Sequence, residues 1–264
     1  MTIFEAIILG VIEGLTEFFP VSSTGHLIIA EKFLGIHNPS LFFNTVIQLG
    51  AIAALFVVYG KEIFSMIKQV CAKKYDRVGH LLFATIPVLV VGMIFHKTIA
   101  QLHNSIFTVA VTSILVALIM YINQKKFANT LQNGKAQSNM SWKDALIIGI
   151  YQIISLIPGT SRSGITVVGG IARGYSFKNA TEFAFLLGIP AMGAASVFEL
   201  LSFIKTPGLV DQNIIVSTLI GFFVAFVISI ATIRATLPIF QKYKFTPFII
   251  YRVALGIVLL LFFR

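Results

Sequence analysis

Residues 13–26 read EGLTEFFPVSSTGH. They lie within an apolar stretch running from about 3 to 30, yet they hold two carboxylates, a proline, four hydroxyls and a histidine. Glu13 and Glu17 are four apart, so on a helix they share one face. A charge in apolar surroundings of this kind is costly and usually serves function. Pro20 stops the helix, and Ser22, Ser23 or Thr24 can cap the next one. A helix starting here turns its positive end toward the break, which suits a phosphate. His26 falls within the first turn of that second helix. At membrane depth a broken helix is tolerated only where protein or water covers the loosened backbone. The stretch therefore predicts a re-entrant helical hairpin with a buried tip.

A second apolar stretch, about 144–172, is broken in the same way by PGTSRSG at 158–164. Shifted by ~139 residues, the first stretch meets the second at matching positions, the period that an internal repeat leaves in sequence. Glu5-Ala6 meets Asp144-Ala145, Gly10 meets Gly149 and Glu13 meets Gln152. Ser22 meets Ser161, Thr24 meets Ser163 and Gly25 meets Gly164. Arg162 sits in the second break. A buried guanidinium needs an anionic partner, here Glu17 or a phosphate, which Arg grips in bidentate fashion.

The rest of the chain fits a bilayer. Hydrophobic residues make up 57% of the 264 and charged residues 11%, against about 25% charged in a soluble domain, and the mean hydropathy is +0.91. Six further stretches, near 41–59, 81–97, 105–123, 183–204, 213–233 and 246–263, approach the ~20 residues of a crossing helix. No long alternation suggests a barrel. The fold expected is an all-α integral membrane protein with six transmembrane helices and two re-entrant hairpins. It forms one membrane domain, residues 1–264, with inverted-repeat halves about 1–123 and 144–264 joined by a basic loop. Three crossings between the hairpins reverse their orientation, and such repeats place a site near the midplane.

The net charge of +10 is concentrated between spans. Residues 60–79 hold Lys61, Lys68, Lys73, Lys74 and Arg77; 124–143 hold Lys125, Lys126, Lys135 and Lys143; 234–245 hold Arg234, Lys242 and Lys244. Alternating spans put all three segments on one side, cytoplasmic by the positive-inside rule, so the first hairpin enters from the outer face and the second from the cytoplasmic face. Basic residues in this setting meet anionic headgroups; nucleic acid is not an expected partner. The single cysteine, Cys71, forms no intrachain disulfide.

Weaker signals lie elsewhere. Glu182 reads as a carboxylate near a helix N-terminus, Gln48 as a site-lining or internal hydrogen-bonding group, and Glu199 as the outer end of a span. Arg252 reads as a snorkelling or carboxylate-paired side chain. Tyr75, Trp142 and Tyr243 suit an aromatic belt.

The two motifs, EGLTEFFPVSSTGH and PGTSRSG, together with NATEFAFLLGIP at 179–190, resemble those of the bacterial undecaprenyl-diphosphate phosphatase family of the bacitracin-resistance type. The resemblance covers nearly the whole chain. It implies hydrolysis of undecaprenyl diphosphate to the monophosphate and inorganic phosphate, which recycles the lipid carrier of peptidoglycan synthesis and gives bacitracin resistance. It also implies a bacterial cytoplasmic membrane location, a divalent cation requirement and a site open to the outer face. Position by position, the family's acidic pair falls on Glu13 and Glu17, its essential serine on Ser23, its histidine on His26 and its arginine on Arg162.

The chemistry of the residues agrees. Glu13 and Glu17 are the expected ligands of a magnesium or calcium ion, because hard cations prefer carboxylate oxygens. Ser22, Thr24, Gly25, Ser161, Ser163 and Arg162 are the expected phosphate contacts. Ser23 or a water attacks the terminal phosphorus, and His26 or Glu17 accepts the proton. The partners expected are the polyprenyl diphosphate and membrane lipids, with a homodimer among the assemblies allowed. The rival reading is a flippase of polyprenyl phosphate, because inverted repeats with broken helices are common in transporters.

Overall fold

The computed structural model describes residues 1–36, 41–102, 105–204 and 212–263. Among these the chain is helical, without named strands; a single bridge joins Lys135 and Tyr175. The first hairpin is α1 (Ile3–Thr16) and α2 (Ser23–Phe33). Then come α3 (Leu41–Val58), α4 (Gly60–Cys71), α5 (Asp76–Ile94), α6 (His96–Leu102), α7 (Ile106–Lys126) and α8 (Ala128–Asn133). The second hairpin is α9 (Trp142–Ile153) and α10 (Arg162–Ala172). Helices α11 (Phe177–Ile204), α12 (Gln212–Tyr243) and α13 (Thr246–Phe262) complete the chain.

Five helices, α3, α5, α7, α11 and α12, are long and apolar enough to cross a membrane, which makes this a multi-pass membrane protein. The sixth expected span corresponds to α13, a shorter apolar helix of 17 residues. The boundaries move in a consistent direction. α5 starts at Asp76 and α11 at Phe177, ahead of the apolar windows, because a helix does not stop where its residues turn polar. α12 runs 32 residues, through Arg234 and Pro238 to Tyr243. At 1.5 Å per residue that is about 48 Å, well beyond a ~30 Å hydrocarbon core. The basic segment 234–245 is thus mostly the end of a helix. Most of segment 60–79 is likewise helical: α4 exposes Phe64 and Ile67 alongside Lys61 and Lys68, with Lys68 Nζ over the Phe64 ring. That pattern suits a helix lying in the interface.

The three basic segments meet at one end of the bundle. Arg77 donates to Gln137, and the Phe245 amide donates to Gln124 at 2.8 Å. The base of the second hairpin lies at this end too, since the Lys135 amide donates to Gly174 O and the Ser176 amide to Lys135 O. An ion pair seals that base. Arg173 Nε donates to Asp144 Oδ1 at 2.6 Å and Tyr175 donates to Asp144 Oδ2. The first hairpin enters from the other end. There Phe33 and Lys32, at the end of α2, pack on Phe263 beyond α13, while α13 begins beside Gln124 at the basic end.

Each hairpin leans on a span distant in sequence. α1 packs along α12, and α9 along α5. The matched glycines are the contact points. A Cβ at Gly10 would meet Gly221 O of α12 at 2.7 Å, and one at Gly149 would meet Ala84 O of α5 at 2.4 Å. Within a membrane such close backbone approach stands in for the hydrophobic drive that lipid removes. α3 packs between α12 and α11, and α7 pairs with α13.

Gly149→Val should therefore push α9 off α5. The expected cost is about 1–3 kcal/mol, the usual range for overpacking, and it should be read as a lower thermal midpoint in detergent. Gly60→Ala, where a Cβ meets nothing within 4 Å, should leave the midpoint unchanged. Equal midpoints for the two variants would refute the close packing.

Candidate active site

The two breaks are built alike. α1 starts on a capping box, with Thr2 accepting from the Glu5 amide and Glu5 accepting from the Thr2 amide. It ends at Thr16, Pro20 bars its continuation, and Ser22 caps α2 by accepting from the Gly25 amide. α9 passes into a 3-10 turn at Ile154–Leu156, turns at Gly159, and Ser161 caps α10 by accepting from the Gly164 amide. Ser22 has φ 76° and ψ 102°; Ser161 has φ 73° and ψ 107°. Non-glycine residues rarely take positive φ, which costs on the order of 1–3 kcal/mol and concentrates at functional sites.

The helix ends at these breaks leave carbonyls that lipid cannot satisfy. Arg252 of α13 meets them. It is fully buried and donates to Pro20 O at 3.1 Å in the first break and to Gly159 O at 2.6 Å in the second. It also donates to Ser113 O and Thr112 O of α7, and Thr112 donates to Pro158 O. The expectation that Arg252 snorkels or pairs with a carboxylate is corrected: its partners are neutral carbonyls, because this is where the broken helices expose them.

A cavity of about 480 Å³ lies where the breaks meet. Its polar end is formed by Glu17, Ser22, Ser23, Thr24, Ser161 and Arg162, with Gln48 and Gln152; its apolar length by Val88, Leu89, Met93, Ile99, Met192 and Phe198. Glu17 is at its centre. One carboxylate oxygen takes Arg162 Nη2 at 2.8 Å and the other takes Ser23 Oγ at 2.5 Å. Arg162 is held further by Ala184 O and by Met192 Sδ. Gly188 gives the guanidinium its room, for a Cβ there would meet it at 2.8 Å. Arg162 Nε has no partner among the described residues.

The remaining expected residues lie behind this surface. Ser163 Oγ is within 3.2 Å of both Glu17 O and Ser161 Oγ, tying the two breaks together. Gly25 serves through its amide, and its Cβ position is crowded by Val109 and Gly159. Glu13, one turn before Glu17, is buried, and its Oε1 has no partner among the described residues. His26 is turned elsewhere. Its Nδ1 is 2.7 Å from Ser22 O and its Nε2 2.6 Å from the Tyr251 hydroxyl, with the two rings stacked. A carbonyl only accepts, so Nδ1 donates to Ser22 O, and Nε2 is left to the Tyr251 hydroxyl. His26 does not line the cavity; it braces the strained Ser22 turn from outside.

Three residues extend the site beyond the sequence reading. Tyr251 adjoins Arg252 on α13, and a tyrosine–arginine pair within an apolar helix was the available signal. His96 and Glu199 line the cavity and stand 3.6 Å apart; nothing in the sequence joins them, and Glu199 is more than a span end. Glu182 pairs with Lys178 at 3.9 Å on α11 and does not line the cavity.

The family model for bacitracin resistance protein BacA matches residues 6–258. The chain belongs to this family. Its relatives cover the full length. An undecaprenyl-diphosphatase of Sulfurovum sp. (strain NBC37-1) is 40% identical over 99% of both chains. One of Sulfurimonas denitrificans is 40% identical over all of both chains. One of Methanococcus aeolicus is 39% identical over 100% of this chain and 99% of its own. The BacA match spans both breaks and the α13 arginine that joins them, so the family pattern and the cavity coincide along the chain.

Arg252→Met should be the most damaging substitution in this region that leaves the cavity lining intact. Each buried acceptor stripped of its donor costs about 1–3 kcal/mol, and four lose one. We expect poor yield or a thermal midpoint lowered by 10 °C or more, on the order of 3 kcal/mol or greater. Arg252→Lys should recover only part, because an ammonium cannot span both breaks. A wild-type midpoint for Arg252→Met would contradict the clamp.

Proposed function

We propose that this chain hydrolyses undecaprenyl diphosphate to undecaprenyl phosphate and inorganic phosphate. The observation that carries this is the Ser23–Glu17–Arg162 chain at the meeting point of two helix breaks. A hydroxyl, a carboxylate accepting from it and a guanidinium form a nucleophile, its base and a charge acceptor for phosphate. The names of the full-length relatives agree with this chemistry. The N-termini of α2 and α10 both start at the breaks and favour an anion there. The apolar length of the cavity suits a prenyl chain. No observation favours the flippase reading over hydrolysis.

The steps follow from the contacts. The diphosphate enters beside Arg162, whose Nε is available to a phosphate oxygen. Ser23 Oγ attacks the terminal phosphorus as its proton passes to Glu17 Oε2. The bond from that phosphorus to the bridging oxygen breaks, and undecaprenyl phosphate leaves. Water then attacks the phosphoserine, Ser23 recovers its proton and inorganic phosphate departs. Ser22 and Thr24 flank the nucleophile, and Ser161 faces it from the other break. His26 acts by holding the Ser22 turn through Nδ1; Glu17, which touches Ser23, is the base.

A divalent cation, magnesium or calcium, fits this site. Glu13 is buried with an unpartnered carboxylate oxygen, and Glu17 lies one turn away. Among the described residues no third His, Cys, Asp or Glu joins them, so substrate oxygens and water would complete the shell, as is usual for magnesium. When bound, the ion adds positive charge against the phosphates.

We place the protein in the bacterial cytoplasmic membrane with the three basic segments inside and the cavity opening outward, following the positive-inside rule. Halves 1–123 and 144–264 are read as an inverted repeat. Support comes from the matched serine caps, the matched glycine contacts and the entry of the hairpins from opposite ends.

Purified protein in detergent should release phosphate from undecaprenyl diphosphate, and a pure flippase would release none. Ser23→Ala and Glu17→Gln should each lower kcat by at least about a thousandfold, roughly 4 kcal/mol of barrier. His26→Ala should cost less, because the ring acts through Ser22. Substrate labelled on the terminal phosphate, quenched during turnover, should leave label on Ser23; unlabelled protein with Ser23→Ala above a hundredth of the rate would assign attack to water.

A chelator tests the cation. It should abolish turnover, and added magnesium or calcium should restore it. Glu13→Gln should then require a higher ion concentration. Full activity in chelator would remove the ion from the reading.

A further inference from the structure

We infer that Gln152 is a further substrate-binding residue, its carboxamide donating to a phosphoryl oxygen of the diphosphate. This rests on the hydrolase reading above and extends it to a residue on the second hairpin. Gln152 stands in the last turn of α9, just ahead of the 3-10 turn, and is one of the residues around the cavity. It is 0% exposed, yet neither Nε2 nor Oε1 has a partner among the described residues. A buried carboxamide with two donors and an acceptor all unmet is costly and rare.

Its surroundings sharpen the point. Both oxygens of Glu17 are matched here, and so is Ser161 with Ser163. The second unmatched donor in the cavity lining is Arg162 Nε. Two unmet donors on residues that line one cavity are complementary to a group rich in acceptors, which a diphosphate is. The residue type is informative as well. The position matched to Gln152 in the first hairpin is Glu13, a carboxylate. An amide keeps the length of that side chain but adds donors without adding negative charge to a cavity that already holds Glu17. Oε1 then accepts from a water or a phosphate hydroxyl in the same cavity.

The inference separates from a structural role by sign. A side chain retained for substrate should be dispensable for the fold, because an apolar replacement removes two unmet polar atoms. Gln152→Leu, nearly the same size, should match or exceed the wild-type thermal midpoint in detergent. Its affinity for a polyprenyl methylene-diphosphonate, whose P–C–P bridge cannot be hydrolysed, should fall about tenfold or more, with KM for the diphosphate rising in step. Gln152→Glu, which brings a third carboxylate, should bind the analogue more weakly still.

Wild-type affinity for the analogue in Gln152→Leu overturns the inference, and so does a lowered midpoint, which would make the amide part of the fold. Failure of the underlying reading looks different. Wild-type protein would then neither release phosphate nor bind the analogue, and both conclusions would fall.

Discussion

Two helical hairpins broken inside an apolar bundle leave buried carbonyls at their breaks, and one side chain answers them. The guanidinium of Arg252 donates to Pro20 O, Gly159 O, Thr112 O and Ser113 O. An arginine is the one residue with enough donors, in a rigid fork, to satisfy carbonyls from two different breaks together. Its charge is spread over carbonyl dipoles without a carboxylate beside it. The carboxylates are thereby left to the cavity. Everything that follows, from the strained serine caps to the position of Ser23, depends on both breaks being held against α7 and α13 by this contact.

With the breaks fixed, the polar chain across them becomes possible. Glu17 belongs to the first hairpin and Arg162 to the second, and their 2.8 Å contact joins the two. The same carboxylate accepts from Ser23. In the resting state Glu17 already accepts from the Ser23 hydroxyl, and the Arg162 guanidinium balances its charge. That pairing matters in a site this buried, because an isolated charge would be expensive. In the proposed reaction a phosphate entering beside Arg162 would compete for that guanidinium and free Glu17 to accept the Ser23 proton, coupling binding to activation through one side chain.

The site and the bilayer part also divide the labour of the glycines. Gly10 and Gly149 bring each hairpin against a span distant in sequence. Gly188 does something else: it opens a place on α11 where the Arg162 fork can lie flat. Close approach in the first case supplies packing where lipid offers no hydrophobic drive. In the second it sets the orientation of a charge.

Much was legible in the sequence because the signals were local. Charges four apart in an apolar stretch, proline followed by hydroxyls, and a repeated S-x-[ST]-G identify broken helices without any knowledge of what packs where. The all-helical membrane class followed from apolar content, and Glu17, Ser22, Ser23, Thr24, Ser161 and Arg162 do converge on one cavity. Local signals were silent on three matters. Helix ends ran past the apolar windows at α5, α11 and α12, since hydropathy reports solvent and not backbone hydrogen bonding. His26 sits three residues from Ser23, yet Tyr251, 225 residues away, and Ser22 O take both its nitrogens. Arg252 read as a snorkelling or paired side chain and Gln152 only as the match to Glu13; only the packed structure shows that every nitrogen of Arg252 donates while the Gln152 carboxamide has no partner among the described residues. Residue type and spacing determine which groups are available and which helices must break. Which of those groups meet is decided by contacts between segments far apart in the chain, and no periodicity along the sequence encodes such a distance.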